Sequence, residues 1–220
     1  MIDFINVTKT YPLKSGRRLI LNNVSFDFPE NKNLSILGKN GSGKSTLLRL
    51  IAGSEAPDYG KITRYGRFSW PLGFSGGFNG NLSGEENLRF ICRIYGADLK
   101  KVTNYVRNFS ELGQNLLEPV KTYSNGMKAR LAFGLSLAMD FDVYLVDEVM
   151  AVGDPIFRKK SKEAFDEKRK HANLIMVSHE MKTVRDYSDS IIIMNNCNLI
   201  IYEDVEEGIK FYQSLSEISK

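Results

Sequence analysis

Near the N-terminus apolar positions alternate with polar ones, and further along they form continuous runs, which predicts two kinds of strand. Ile2–Val7 and Arg18–Phe28 alternate like antiparallel strands with one buried face, and Pro12–Gly16 is expected to be the loop between them. Leu34–Leu37 is apolar enough for a buried strand, and Lys61–Ser69 is compatible with one more. We therefore expect the fold to begin with an antiparallel layer and a buried strand.

The middle of the chain carries helical signals. Ser83 and Glu86 have the capping-box spacing that opens a helix, and Leu99–Phe109 repeats its apolar residues at helical intervals. Leu112–Leu117 is compatible with a short third helix. Because this stretch lacks strand signals, we expect residues of about 83–139 to form a helical lobe inserted into a sheet domain.

Strand patterns return in the second half, separated by helical ones, at Val143–Val146, Leu174–Val177, Ile191–Met194 and Asn198–Tyr202. The last two flank Asn195-Asn196 and predict a hairpin, after which Val205–Leu215 is expected to be a helix. Alternating strands and helices predict an α/β fold with a mainly parallel sheet. We expect one domain, whose core is formed by residues 1–75 and 140–220.

Composition is that of a soluble globular protein with a substantial core, since 42% of the 220 residues are hydrophobic. The longest apolar runs, such as Ile191–Met194, fall far short of the roughly 20 residues of a membrane helix, and no secretory signal is predicted. Cys92 and Cys197 lack metal-ligand spacing and fit core thiols in a reducing compartment.

Charge is distributed unevenly along the chain. Residues 1–110 contain 16 Lys and Arg against 8 Asp and Glu, whereas residues 111–220 contain 14 against 18. A basic first half suits an anionic nucleotide or an acidic membrane surface. The net charge of +4 is too small and too dispersed to indicate nucleic-acid binding.

The strongest chemical signal directly follows Leu34–Leu37. It fits the phosphate-loop pattern G-x-x-x-x-G-K-[ST] and comprises Gly38, Lys39, Asn40, Gly41, Ser42, Gly43, Lys44, Ser45 and Thr46. The glycines let successive N–H groups point at an anion, and the helix predicted after the loop adds its dipole. Lys44 would reach the β- and γ-phosphates, and the Ser45 hydroxyl would ligate Mg²⁺. A surface turn with a solvated lysine is the alternative, and the flanking strand and helix count against it.

Two further segments carry candidate chemistry. Asp147 and Glu148 end an apolar strand, where Asp147 could support Mg²⁺ and Glu148 could polarise a water aimed at the γ-phosphate. A solvated acidic turn is the alternative. Ser124, Asn125 and Gly126 open the helical run that follows Tyr123, which makes a second anion site or a plain helix cap.

In order and spacing, these segments resemble the ATP-binding subunits of ABC transporters. The likeness covers essentially the whole chain and runs through the phosphate loop, Tyr123–Met127, Asp147-Glu148, Ala151–Asp154 and His179. It implies a P-loop NTPase fold with a RecA-like parallel-sheet core, an N-terminal antiparallel β layer and an inserted α-helical lobe. It also implies ATP and Mg²⁺ as ligands.

The same resemblance implies a role for each matching residue. Tyr11 would stack on adenine, Asp147 would support Mg²⁺, and Glu148 would be the catalytic carboxylate. His179 would be the switch histidine at the γ-phosphate, and Asp154 would lie in the loop that crosses a dimer interface. Taken alone, Tyr11 could be an exposed loop aromatic, and His179 could be a structural histidine at a strand end.

The resemblance also implies partners. Ser124, Asn125 and Gly126 match the family's signature, which contacts the γ-phosphate held by the opposite subunit. One chain cannot offer this segment to its own nucleotide, so two copies are expected to face head to tail around two ATP molecules. The pair would dock on integral-membrane permease subunits as a peripheral protein at the cytoplasmic face of the inner membrane.

Two departures from the family pattern stand out. The signature reads Tyr-Ser-Asn-Gly-Met where Leu-Ser-Gly-Gly-Gln is common, and Asn125 is expected to tolerate a left-handed backbone there. The family's glutamine before the helical lobe is missing, because no Gln occurs between Lys61 and Leu88. Asn79 and a water molecule are the alternatives for its replacement.

The departures point to a subfamily. The loop that begins Trp70-Pro-Leu-Gly, the altered signature and Asp147–Asp154 are similar to ATPases that export bacterial cell-surface polysaccharides, above all capsular ones. The chain's end soon after the hairpin also favours the capsular type over O-antigen and teichoic-acid exporters. A lipid-linked polysaccharide, moved through the permease, is the implied cargo. The alternatives are another exported substrate, a non-transport ABC ATPase, a clamp that hardly hydrolyses and a P-loop kinase.

Overall fold

Nine strands and seven helices are present in the computed structural model, which describes residues 2–14, 16–72, 76–147 and 154–217. Of Ser216 and Glu217 it describes the backbone only. The strands are β1 Ile2–Leu13, β2 Gly16–Phe28, β3 Leu34–Leu37, β4 Tyr59–Arg64, β5 Phe68–Pro71, β6 Val143–Asp147, β7 Asn173–Val177, β8 Ser190–Asn195 and β9 Asn198–Tyr202. The helices are α1 Lys44–Ala52, α2 Gly84–Tyr95, α3 Leu99–Ser110, α4 Asn125–Ala138, α5 Pro155–Lys168, α6 Met181–Tyr187 and α7 Val205–Glu217.

Two compact units share these elements. The first comprises Met1–Pro71, Asp142–Glu148 and Ala172–Lys220, and the second comprises Leu72–Phe141 and Val149–His171. The second unit thus extends beyond the lobe of about 83–139 that the sequence indicates, and it includes α5. The one-domain organisation with a helical lobe remains a prediction.

Both sheets belong to the first unit. One has the antiparallel order β2-β1-β4, and the other has the order β5-β6-β7-β3-β8-β9. Its first five strands are parallel, and only β9 runs antiparallel, as the edge partner of β8. This is the mainly parallel α/β sheet with a separate antiparallel layer that alternating patterns predicted.

Helix α1 supplies one side of the core of the first unit. Leu47, Leu48, Leu50 and Ile51 of this helix are fully buried in one cluster with Ile2, Phe4 and Leu21 of the antiparallel sheet and Ile36 and Leu145 of the parallel one. A second cluster joins β8 to α6 and α7 through Val184, Ile191, Ile193 and Ile209. Strand β3 is buried along its whole length, because apolar side chains cover both faces of the sheet.

The second unit is helical, with aromatic side chains between its helices. Phe109 of α3 has ring-centroid distances of 6.2 Å to Phe133 of α4 and 5.4 Å to Phe157 of α5. The predicted third helix is a 3₁₀ turn, Gly113–Leu117. Shortly before it, Glu111 has a positive φ of 58°. Within the described residues, no helix has the length and apolar character needed to cross a membrane.

Two expectations about strands were wrong. Strand pairing continues through Pro12 opposite Arg17 and Leu13 opposite Gly16, so β1 and β2 extend into the segment predicted as a loop. The single strand expected over Lys61–Ser69 is two strands in different sheets, β4 and β5. The bend between them contains Gly66, whose φ of 111° favours glycine, and Asp142 accepts a hydrogen bond from the backbone N–H of Arg67 at 2.7 Å.

Candidate functional site

The phosphate loop lies between β3 and the first turn of α1. Gly43 precedes the helix with a φ of 106°, and a Cβ atom at this position would lie 2.4 Å from Cγ2 of Ile20. A Cβ atom on Gly38 would lie 2.9 Å from the carbonyl oxygen of Met194. Backbone conformation and close packing thus both require glycine, which leaves the backbone of the loop open to an anion.

Lys44 and Ser42 show how this loop is prepared for a charged ligand. The ammonium group of Lys44 is buried and donates to the carbonyl oxygens of Gly38 at 2.8 Å and Lys39 at 3.1 Å. The Ser42 hydroxyl is buried without a hydrogen-bond partner within the described part of the chain. A bound phosphate would supply the acceptor that this hydroxyl lacks, so the loop fits a nucleotide triphosphate.

One open cleft of about 580 Å³ collects most of the predicted residues of the first unit, whereas Gly38, Lys39 and Ser42 of the phosphate loop do not line it. Its lining includes Tyr11, Asn40, Gly41, Gly43, Lys44, Ser45, Thr46, Asp147 and His179. Strand order explains why they meet: β6, β7 and β3 are adjacent and parallel, so the residues after their carboxyl ends share one edge of the sheet. Asp147 ends β6, and His179 lies two residues after β7.

The donor set of this cleft suits Mg²⁺. Ser45 and Asp147 both line it, and a hydroxyl and a carboxylate are oxygen ligands. Clusters of three or more His, Cys, Asp or Glu that could bind a metal do not occur among the described residues. Mg²⁺ in phosphoryl-transfer sites typically uses one or two protein ligands together with substrate phosphates and water, which this pair could provide.

Tyr11 lies on strand β1 rather than in a loop. It is half-buried opposite Arg18 of β2, and its hydroxyl oxygen lies 3.3 Å from the Thr46 hydroxyl oxygen of the phosphate loop. Tyr11 therefore brings an aromatic ring from the antiparallel sheet to the cleft, as its predicted role at the adenine requires.

Arg18 is a residue of the cleft that the sequence did not indicate. It lines the cleft and donates a hydrogen bond to the Gly41 carbonyl oxygen of the phosphate loop. The only sequence signal would have been its place across a hairpin from Tyr11, and this was hidden by the loop wrongly predicted at Pro12–Gly16. Leu13, Ile20 and Val177 line the same cleft, and as apolar residues they carried no chemical signal in the sequence.

The signature segment belongs to the second unit. Ser124 is the N-cap of α4 and accepts a hydrogen bond from the N–H of Met127 at 3.2 Å, while Ser124, Asn125 and Gly126 are exposed. Asn125 is the first residue of the helix, so the left-handed backbone expected for it is not adopted. The cap explains this, because the residue after an N-cap already has helical dihedral angles.

Of the two predicted residues Asp154 and Glu148, the structure describes only Asp154. Asp154 is the N-cap of α5 and accepts from the N–H groups of Ile156 and Phe157, both at 3.0 Å. Hydrogen bonds from the Phe157 N–H and from Arg130, 2.5 Å away, hold the pKa of Asp154 below its usual value, although desolvation opposes this. Glu148, the predicted catalytic carboxylate, lies outside the described residues, as do Ala151–Gly153.

Asn79, the residue considered as a replacement for the missing glutamine, is engaged in a local turn. Its side-chain oxygen accepts from the N–H of Asn81 at 3.0 Å, and its backbone N–H donates to Asn87 at 2.9 Å. This arrangement is an Asx turn, which stabilises the chain before α2. A role at Mg²⁺ stays an untested prediction.

Comparison with curated proteins gives relatives that align over almost the entire chain. The capsule polysaccharide export ATP-binding protein CtrD of Neisseria meningitidis serogroup B is 49% identical over 98% of this chain and 100% of its own length. The polysialic acid transport ATP-binding protein KpsT of Escherichia coli is 43% identical over 98% and 99%. The O-antigen export system ATP-binding protein RfbB of Klebsiella pneumoniae is 33% identical over 97% of both chains.

Solved structures share the fold. An ATP-binding subunit of an ABC transporter superimposes with a TM-score of 0.77 at 21% identity, covering 96% of this chain and 93% of its own. A dimeric ATP-binding cassette in a post-hydrolysis state, bound to ADP and Pi, gives 0.72 at 22% identity, covering 92% and 98%. The family model described as ABC transporter matches residues 21–151. With a phosphate-loop cleft on an α/β sheet and relatives along its full length, this chain belongs to the ABC transporter family.

Proposed function

We propose that this protein is the ATP-hydrolysing subunit of an ABC transporter that exports a capsular polysaccharide. The observation that carries the proposal is the near full-length identity of 49% and 43% to two proteins of capsule and polysialic acid export. The O-antigen relative is more distant, at 33%, which favours the capsular cargo.

Each residue of the cleft would have a defined task in hydrolysis. Lys44 and the loop N–H groups would bind the triphosphate, and Ser45 with Asp147 would hold Mg²⁺, which neutralises charge on the phosphates. Glu148 would orient and polarise the attacking water, and His179 would contact the γ-phosphate. Phosphoryl transfer demands positioning and charge stabilisation, and a rigid sheet edge can provide both.

The signature segment would complete the site of a second copy. Ser124, Asn125 and Gly126 are exposed at the N-terminus of α4, where the free N–H groups and the helix dipole favour an anion. Two copies facing head to tail would each supply this segment to the nucleotide of the other. A symmetric pair of this kind is the commonest arrangement of homo-oligomers.

The proposed partners are two integral-membrane permease subunits, with the ATPase pair bound at the cytoplasmic face of the inner membrane. Membership of the ABC transporter family supports this arrangement. Recovery of a membrane protein with the tagged chain from detergent extracts would test it. Recovery with ribosomes or DNA instead would favour a non-transport ABC ATPase.

Lys44→Ala tests the nucleotide site. The variant should lose measurable ATP binding and phosphate release, because the cation that the loop places at the phosphates is gone. Lys182→Ala is a matched control, since Lys182 is exposed on α6. Equal ATP affinity in wild type and Lys44→Ala, measured by calorimetry, would contradict the site.

The cargo is tested in the source cell. Replacement of the gene by its Lys44→Ala form should remove the polysaccharide from the cell surface and leave it inside the cell. The Lys182→Ala form should restore the surface polymer. A normal capsule in cells that carry only Lys44→Ala would refute the proposed function.

A further inference from the structure

We propose that Glu55 and Arg49 are positioning residues that hold the Tyr11 ring in place for the adenine of ATP. The inference rests on the proposed function, since it concerns the base side of the same cleft. It is carried by a cluster of polar side chains that encloses the Tyr11 hydroxyl within the first unit.

The Tyr11 hydroxyl is held from two sides. It donates to a carboxylate oxygen of Glu55 at 2.6 Å, and it accepts from the Nη2 atom of Arg49 at 3.0 Å. Both partners are charged, and hydrogen bonds of that kind are shorter and stronger than neutral ones. An exposed tyrosine would keep its hydroxyl in water, whereas these two bonds fix the direction of the ring.

Glu55 is itself fixed by cations. Lys9 and the Nε atom of Arg49 both approach its carboxylate to 2.9 Å, and only 18% of the Glu55 side chain is exposed. Burial opposes ionisation of this carboxylate, yet hydrogen bonds from Tyr11, Lys9 and Arg49 outweigh it and lower the pKa of Glu55 to about 2. The carboxylate is therefore charged at neutral pH, the form that accepts from Tyr11, Lys9 and Arg49.

The same cluster reaches the phosphate loop. Arg49 donates to the Thr46 hydroxyl at 3.1 Å, and the two residues lie three positions apart on α1, on the same face. Tyr11 on β1 is thereby tied to the helix that follows the loop. Base and triphosphate would meet groups whose separation is set before ATP arrives, which lowers the entropy cost of binding.

Two roles of this cluster, a purely structural one and the positioning of the Tyr11 ring, lead to different expected ligand affinities. If the cluster only joins β1 to α1, breaking it should lower stability and affect all phosphate ligands alike. If it positions the ring, breaking it should weaken ATP while an inorganic triphosphate, which has no base, keeps its affinity. The ratio of the two affinities separates the cases.

The experiment compares Mg-ATP with Mg-tripolyphosphate on full-length Glu55→Gln by calorimetry, together with steady-state hydrolysis. We expect about tenfold weaker ATP binding from the lost charged hydrogen bonds, with tripolyphosphate affinity little changed. KM should rise while kcat stays near that of wild type. Tyr11→Phe, which keeps the ring and removes only the tethered hydroxyl, should shift the same ratio and serves if Glu55→Gln does not fold.

Asp58→Asn is the matched control. Like Glu55, Asp58 forms an ion pair with Lys9, at 3.5 Å. The Asp58 carboxylate, however, accepts hydrogen bonds from the hydroxyl and the N–H of Thr10 and none from Tyr11. This variant should leave the affinity ratio unchanged. Equal losses for ATP and tripolyphosphate in both Glu55→Gln and Tyr11→Phe, or no loss for either ligand, would overturn the inference. If Lys44→Ala also binds ATP like wild type, the proposed function fails. If Lys44→Ala loses ATP binding but the ratio of ATP to tripolyphosphate affinity is unchanged in Glu55→Gln and Tyr11→Phe, only this inference fails.

Discussion

Two neighbouring arginines on β2 have different surroundings. Arg18 lies opposite Tyr11, lines the cleft and donates to Gly41, whereas Arg17 lies opposite Pro12. Successive side chains of a strand point to opposite faces of its sheet, so only one of the pair can face the loop. Sequence alone gives no reason to distinguish them.

Arg18→Gln should weaken Mg-ATP binding, because it removes a cation at the mouth of a cleft for a triphosphate. Since Arg18 is exposed, we expect roughly a threefold to tenfold loss of affinity, which should shrink at high salt. Calorimetry at two ionic strengths measures it. Arg17→Gln should bind like wild type, and equal losses in the two variants would argue against a local effect of Arg18.

At the scale of elements, the capping box of α2 is confirmed. The Glu86 N–H donates to the Ser83 hydroxyl at 3.1 Å, and the Ser83 N–H donates to the Glu86 carboxylate at 2.7 Å. Both bonds satisfy helix-terminal or flanking N–H groups that would otherwise lack partners. The motif was readable from sequence because all its contacts lie within four residues.

Ser83→Ala should lower the free energy of unfolding by about 1 kcal/mol through loss of the cap. Urea denaturation followed by circular dichroism measures the change. Ser214→Ala is the control: this serine lies within α7, where alanine is the better helix former, so no destabilisation is expected. An unchanged midpoint for Ser83→Ala would show that the cap contributes nothing to stability.

The N-terminal hairpin shows where sequence patterns for elements fail. Pro12 suggested a loop, yet it lies beyond Thr8↔Tyr59, the last pair between β1 and β4, where β2 is the one neighbour of β1 among the described strands. Proline is tolerated at an edge of a sheet, because no neighbouring strand on that side requires the N–H group that proline lacks. Whether a strand has one neighbour or two is a tertiary property.

For the whole molecule, acid should reduce stability. The pKa of Glu55 falls from its usual 4.5 to about 2 in the folded chain. Because the folded pKa is depressed, this carboxylate stabilises the fold above pH 4.5, and the stabilisation is lost as pH falls towards 2. Asp140, beside Lys168, and Glu111, beside Lys160, also have lowered pKa values and act in the same direction.

Urea denaturation at neutral pH and within that acidic window checks this prediction. Wild type should lose more stability on acidification than Glu55→Gln, whose uncharged side chain does not titrate. Glu163→Gln should lose as much stability on acidification as wild type, because the ion pair of Glu163 with Lys159, at 4.0 Å, is exposed and contributes little. Identical acid profiles for Glu55→Gln and wild type would contradict the assigned role of the carboxylate.

Glu148→Gln in the presence of Mg-ATP should accumulate dimers, because ATP would remain bound between the two copies when hydrolysis is blocked. Size-exclusion chromatography with light scattering measures the association. Glu148→Gln combined with Lys44→Ala is the control and should stay monomeric, since it cannot bind the nucleotide. A monomer for Glu148→Gln at high protein concentration would refute the shared site.

By itself, the sequence determined which residues form the phosphate loop, the capped starts of α2 and α4, and the apolar strand that ends at Asp147. These features depend on neighbours a few positions apart, and local backbone chemistry is sufficient to specify them. Only the tertiary structure decided that Arg18 of the antiparallel sheet reaches the loop, and that Arg49 and Glu55 bind the hydroxyl of Tyr11. Those contacts arise because α1 packs into one core with residues of both sheets, and nothing in the spacing of the residues along the chain encodes such packing.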